Sequence, residues 1–143
     1  MRALGVDPGT KRIGLAVSDL SGTIASPLLV LACSRSPRHD LTEVARVARA
    51  EEAEVIVVGL PLNMDGSHGP AARAATRFAE RLATVAGVPV ELHDERRTTV
   101  TAEQALREGG LDGRARRQKV DKVAAAVMLQ SWLDARRHRE RRS

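Results

Sequence analysis

The apolar residues fall into short runs and helical stripes. Ala3-Leu4-Gly5-Val6 is an apolar run that stops at the turn sequence Asp7-Pro8-Gly9. It reads as a buried strand. Residues 13–19 read as the next strand, joined to the first by a glycine-bearing turn. Residues 24–33 make a third, which Pro27 assigns to an edge or a bulge. Leu41, Val44, Ala45 and Ala48 then recur as one face of a helix, with Asp40 as its expected cap. Val55-Ile56-Val57-Val58-Gly59 is apolar without alternation, so both faces of that strand should be covered, as in a parallel sheet. A helix follows over about 69–86, its stripe placed on Ala71, Ala75, Phe78, Leu82 and Val85, with Gly87 as its stop. Residues 89–93 form a last strand. Two helices are expected after it, over about 99–108 and about 118–137, the first ended by Gly109-Gly110.

The order is β-β-β-α-β-α-β-α-α. It predicts an α/β fold: a mixed five-stranded sheet, a three-strand meander followed by alternating strands and helices, with helices on both faces. The chain has 143 residues, enough for one domain with one core. Residues 1–137 are assigned to that domain and 138–143 to a basic tail.

Composition narrows the chemistry. The net charge is +5, yet the last eight residues alone hold five Arg and one Glu, so the body is nearly balanced. That tail reads either as a solvated helix end or as an arm that contacts phosphates. Phe78 and Trp132 are the only aromatics, which argues against readers that stack bases on aromatic platforms. Cys33 is the only cysteine, excluding an intrachain disulfide and a thiolate metal cluster. No apolar run approaches the roughly 20 residues of a membrane span, and no secretion signal is evident, so the expected location is the cytoplasm.

In sheets of this kind, sites form at the carboxyl ends of parallel strands. Asp7 ends the first strand, Asp94 and Glu95 follow the last, and Asp121 falls in the expected first turn of the final helix. Singly, each has an ordinary explanation: a turn aspartate, a surface ion pair with Arg96 or Arg97, and a favourable helix-dipole charge. Brought together, three carboxylates repel one another and resist desolvation. A hard divalent cation removes that cost, and Mg²⁺ favours oxygen ligands. Two such ions about 3.5–4 Å apart are a known device for phosphodiester hydrolysis.

Four blocks carry a resemblance. Gly5-Val6-Asp7-Pro8-Gly9-Thr10-Lys11-Arg12-Ile13-Gly14-Leu15-Ala16-Val17-Ser18-Asp19 closely resembles the N-terminal signature of the YqgF (RuvX) family. Val57-Val58-Gly59-Leu60-Pro61-Leu62-Asn63-Met64-Asp65-Gly66 is similar to its second signature. His93-Asp94-Glu95-Arg96-Arg97-Thr98-Thr99 and Lys119-Val120-Asp121-Lys122-Val123-Ala124-Ala125 match its third and fourth. The blocks keep the family's order and span nearly the whole chain.

The resemblance implies a ribonuclease H-like fold related to RuvC-type resolvases. It implies that Asp7, Glu95 and Asp121 are catalytic acids binding one or two Mg²⁺ or Mn²⁺ ions. It also implies a cytoplasmic nuclease that matures the 5′ end of pre-16S rRNA, or a Holliday junction resolvase. A nucleic-acid partner follows, with a ribosomal particle or a homodimer as further expectations. Ribonuclease H-like sites often hold a fourth acid, but Ala124 stands three residues past Asp121.

Flanking residues are assigned to substrate. Thr10, Lys11 and Arg12 offer a hydroxyl and two cations to a phosphate. Arg96, Thr98, Lys119 and Lys122 lie beside the acids, and Asn63 sits on the loop after the buried strand. Gly9 is assigned to the tight turn and Gly14 to close strand packing. Asp65-Gly66 reads as a turn, and His68 and His93 as structural, with His93 nearest the site. Two other functions compete. Asp7-x-Gly9-Thr10 also resembles the phosphate loop of actin-like and sugar-kinase ATPases, which close two such domains around ATP. A binding module without catalysis is the other, and the presence of all three acids speaks against it.

Overall fold

The computed structural model describes residues 1–96 and 113–142. The helix expected over 99–108 lies outside them. The strands are β1 (Ala3–Pro8), β2 (Arg12–Ser18), β3 (Ala25–Ala32), β4 (Val55–Leu60) and β5 (Val90–Asp94). The helices are α1 (Pro37–Ala50), α2 (Pro70–Ala86) and α3 (Gly113–Arg142). The sheet order is β3-β2-β1-β4-β5. The first three strands form the antiparallel meander, and β4 and β5 join parallel to β1. Pro27 sits on the edge strand, and the β2–β3 register shifts between Leu15 and Ala16, next to the pair Ala16–Pro27. Its missing N–H is thus placed at both an edge and an irregularity.

Two cores flank the sheet. Leu4, Val6, Ile56 and Val58 pack with Leu41, Val44 and Leu82 on the α1–α2 side. Ala3, Val55 and Val57 pack with Met128, Leu129, Trp132 and Leu133 on the α3 side. The unbroken apolar run of β4 therefore feeds both cores by strict alternation.

Three local expectations change. Ser36, not Asp40, caps α1, its side chain accepting from the His39 N–H at 3.2 Å. Asp40 instead accepts from the Ser34 N–H at 3.0 Å. The buried stripe of α2 is Ala72, Ala75, Ala79, Leu82 and Ala86, while Ala71 and Val85 are exposed. Alanines surround this helix, so hydropathy left its rotation ambiguous, and packing selected the side whose small residues admit α1 and the sheet. Gly87 ends it in the left-handed region at φ 73°.

The largest change is α3. It begins five residues earlier and ends five later than the expected 118–137, taking in the tail through Arg142. Arg, Ala, Gln and Lys on either side of the apolar stripe are good helix formers, with no proline to stop them. Among the described residues no helix is long and apolar enough to cross a membrane.

Candidate active site

β1 alternates, so Leu4 and Val6 face α1–α2 while Asp7 faces α3 with Ala3 and Gly5. Burial first, and then the charge of Asp121, push the Asp7 carboxyl up from 3.8 to about 6. Glu95 follows the last residue of β5, and its N–H donates to the Leu60 carbonyl at 3.2 Å. Burial, then the charges of Asp7 and Asp94, push its carboxyl up from 4.5 to about 8. Asp121 lies on α3 beyond the first two turns, not in the first, so the helix-dipole explanation of this acid fails. Its Oδ2 accepts from Arg12 Nε at 2.5 Å.

Three glycines on one face of the sheet make this convergence possible. A Cβ on Gly5 would lie 2.8 Å from Leu129 Cβ. A Cβ on Gly14 would collide with the Asp121 carbonyl, and one on Gly59 with Glu95 Oε2. Gly14 therefore serves the approach of α3 rather than strand packing. Gly9 has the same kind of reason: a Cβ there would press on the Arg12 carbonyl at 2.6 Å, which the Gly9 N–H itself contacts at 2.9 Å. Gly59 was missed as a site residue. Its signal was a side-chain-free position at the end of an apolar strand, in phase with Val55 and Val57.

The expected substrate residues divide. Thr10 and Lys11 are exposed on the β1–β2 turn, beside Asp7. Arg12 is turned inward onto Asp121 and is one-third exposed. Arg96 is tied to Asp94 through its Nε at 2.8 Å and its backbone N–H at 3.0 Å. That pairing holds the Asp94 carboxyl below its ordinary range. Asn63 donates to Ser67 Oγ at 3.0 Å and braces the β4–α2 loop. Lys122 is half-buried one residue past Asp121. Thr98 and the side chain of Lys119 lie outside the described residues. Asp65-Gly66 is a turn, with Gly66 at φ 87° and Asp65 accepting from Ser67. His93 Nε2 meets Ser131 Oγ at 3.0 Å and fastens β5 to α3, and burial holds its pKa down.

Among the described residues, no three acid, histidine or cysteine side chains form a ready-made metal cage. The donor chemistry nevertheless fits a hard divalent cation. The donors are all oxygen, and two of the carboxyls have their pKa values raised by burial and by neighbouring negative charge. A cation would relieve both effects, and Asp121 would join by sharing its carboxylate with Arg12.

A family model described as "RuvX: Holliday junction resolvase" matches residues 1–135. A protein of Anaeromyxobacter sp. (strain Fw109-5), named "Putative pre-16S rRNA nuclease", is 53% identical over 95% of this chain and 98% of that one. A protein of the same name from Chloroflexus aggregans is 44% identical over 94% of each chain. In structure, T. thermophilus RuvC, solved in complex with a Holliday junction substrate, superposes with a TM-score of 0.58 at 21% identity, over 96% of both chains. That likeness shows the expected ribonuclease H-like fold. With its sequence matched from residue 1 to 135 and all four signature blocks in order, the chain belongs to the RuvX family.

Proposed function

We propose that this chain is a divalent-metal-dependent nuclease that hydrolyses phosphodiester bonds at the 5′ end of pre-16S rRNA. The observation that carries the chemistry is the pair of half-buried carboxyls, Asp7 and Glu95, brought together at the carboxyl ends of parallel strands with their pKa values raised. The names of the relatives support the substrate. Asp7, Glu95 and Asp121 would hold Mg²⁺ or Mn²⁺. When bound, such an ion makes water a better nucleophile and stabilises charge on the leaving oxygen.

The chain's own groups do the rest. Gly59 and Gly14 leave the room in which Glu95 and α3 approach Asp7. Arg12 orients the Asp121 carboxylate. Thr10 and Lys11, exposed on the turn, meet the substrate phosphate, and Lys122, Lys119 and Thr98 are assigned to the flanking backbone. In the reaction the water oxygen bonds to phosphorus and the P–O3′ bond breaks. The products are a 5′-phosphate and a 3′-hydroxyl. Trp132 is 5% exposed, so it cannot serve as a base platform, and recognition rests on backbone and shape. This reading puts the protein in the cytoplasm, with a ribosomal precursor as its partner.

A second reading, cleavage of four-way junctions, is favoured by the description of the family model. It would call for a two-fold dimer, because a junction has paired scissile strands. A cleavage panel separates the two: precursor rRNA, single-stranded DNA and a four-way junction, each with Mg²⁺, Mn²⁺ or chelator. Cleavage of the RNA, lost in Asp7→Asn and in chelator, is the expected result. An Asp7→Asn protein as active as its parent would sink the metal-nuclease reading.

A further inference from the structure

Beyond the end of β1 that carries Asp7, a second opening lies on the other face of the sheet. Pro8 follows Asp7 and points back toward α1 and α2. There Pro8, Ile13, Leu41 and Phe78 line a groove of about 350 Å³. That volume is at the small end of the range of about 300–1,000 Å³ for ligand pockets. Its rim carries Thr10 on one side and Arg77 and Arg81 on the other. The groove continues along the α1–α2 seam into a second opening of about 390 Å³, which shares Leu41 and Arg81 and adds Arg38 and Glu80.

The two arginines are one helical turn apart on α2 and exposed. Four other guanidinium groups are engaged by carboxylates: Arg2 by Glu51, Arg12 by Asp121, Arg46 by Glu43 and Arg96 by Asp94. The guanidinium groups of Arg77 and Arg81 have no hydrogen-bond or ion-pair partner among the described residues. The acid in the groove, Asp40, is engaged by the Ser34 N–H. The concavity therefore combines two open cations with an apolar floor. Guanidinium groups match phosphate oxygens in charge and in fork geometry. Thr10 belongs both to this rim and to the turn beside Asp7, so a strand crossing Gly9 and Thr10 passes from one face to the other.

We propose that the α1–α2 groove seats one flanking nucleotide of the substrate strand, its phosphate on Arg77 and Arg81, its sugar and base against Pro8 and Phe78, which are partly exposed in the groove. The proposal rests on the nuclease reading and adds a subsite to it. Because the phosphate is the recognised group, RNA and DNA strands should both use the groove.

The test is binding of a labelled single strand of roughly ten nucleotides, as RNA and as DNA, to the full chain in chelator. Arg77→Ala/Arg81→Ala should weaken binding about tenfold and lower the salt slope by about 0.7, one phosphate's worth for a single strand. Arg46→Ala, which removes a charge from the outer face of α1, should change neither. A second readout needs no arginine variant. Cys33, the single cysteine, lines the same groove. A saturating strand should slow its alkylation by a maleimide several-fold. The groove is overturned if the double variant binds like its parent or if Arg46→Ala loses as much. It is also overturned if only one sugar type shows the loss, or if Cys33 stays equally reactive. Metal-dependent cleavage by the parent together with unchanged binding of the double variant sinks the groove alone. A parent that neither binds nor cleaves any strand sinks the nuclease reading with it.

Discussion

Asp7 and Glu95 are carboxyls that folding makes reluctant to ionise, and this has a thermodynamic sign. Both pKa values are raised, from 3.8 to about 6 and from 4.5 to about 8. The folded chain therefore holds protons that the unfolded chain releases. The stability they contribute is complete below about pH 4 and is lost as the pH rises through about 6 and then about 8. Without divalent ions, Tm should fall between pH 5 and 8.5, and Asp7→Asn should flatten that fall. Cation binding competes with these protons. Mg²⁺ or Mn²⁺ should thus raise Tm more at pH 8 than at pH 5.5, as differential scanning fluorimetry will show; an equal rise at both would contradict the carboxylate site. Gly59→Ala places a methyl group against Glu95 Oε2. It should cost about 1–3 kcal/mol of stability by overpacking and lower cleavage by at least about tenfold, measured by urea melts and initial rates.

Strands and helices meet at a face made partly of missing side chains. Gly5 and Gly14 let α3 lie against β1 and β2, with Leu129 and Asp121 at the contacts. Gly14→Ala should push the Asp121 segment away from the sheet, costing about 1–3 kcal/mol in denaturant titration. Because the segment carries a carboxylate, the same variant should also weaken the Mg²⁺-dependent rise in Tm. A stability loss without that second effect would mean that Asp121 is not part of the cation site. The elements themselves were largely legible. The β4 run announced two covered faces, and Gly87 announced the end of α2. The rotation of α2 and the length of α3 were not. Alanine carries too little hydropathy to define a stripe, and good helix formers extend a helix past its apolar face.

The molecule is polarised from end to end. α3 brings Asp121 to the site end of the sheet, where its carbonyl meets Gly14, and then runs past Leu129 at Gly5 toward Leu133 near Gly22 and Met1. Arg136 packs over Trp132, its Cζ 5.7 Å from the ring centroid, and Arg137 donates to the Thr23 carbonyl at 3.4 Å. At a rise of about 1.5 Å per residue, the helix carries Arg141 about 30 Å from Asp121. The basic tail is thus a helical extension at the far end, not a flank of the carboxylates. Deleting 138–143 should leave cleavage of short strands unchanged. It should weaken binding of long ones and reduce their salt slope by about two. Equal effects on short and long substrates would show that the tail reaches the site.

The sequence determined the succession of strands and helices along the chain and the covered central strand, because periodicity and turn chemistry are local, and its signature blocks singled out the three acids as candidates. It also placed Thr10 and Lys11 on the turn beside Asp7. Tertiary structure decided which groups are left to act. Arg12, Arg96 and Asn63 looked alike as substrate contacts, yet packing gave them Asp121, Asp94 and Ser67 as partners. Arg77 and Arg81 carry no signal in the sequence, and packing set them open on a groove. A pairing between residues as distant in sequence as Arg12 and Asp121 depends on how α3 crosses the sheet. That crossing rests on glycines whose contribution is the space they leave.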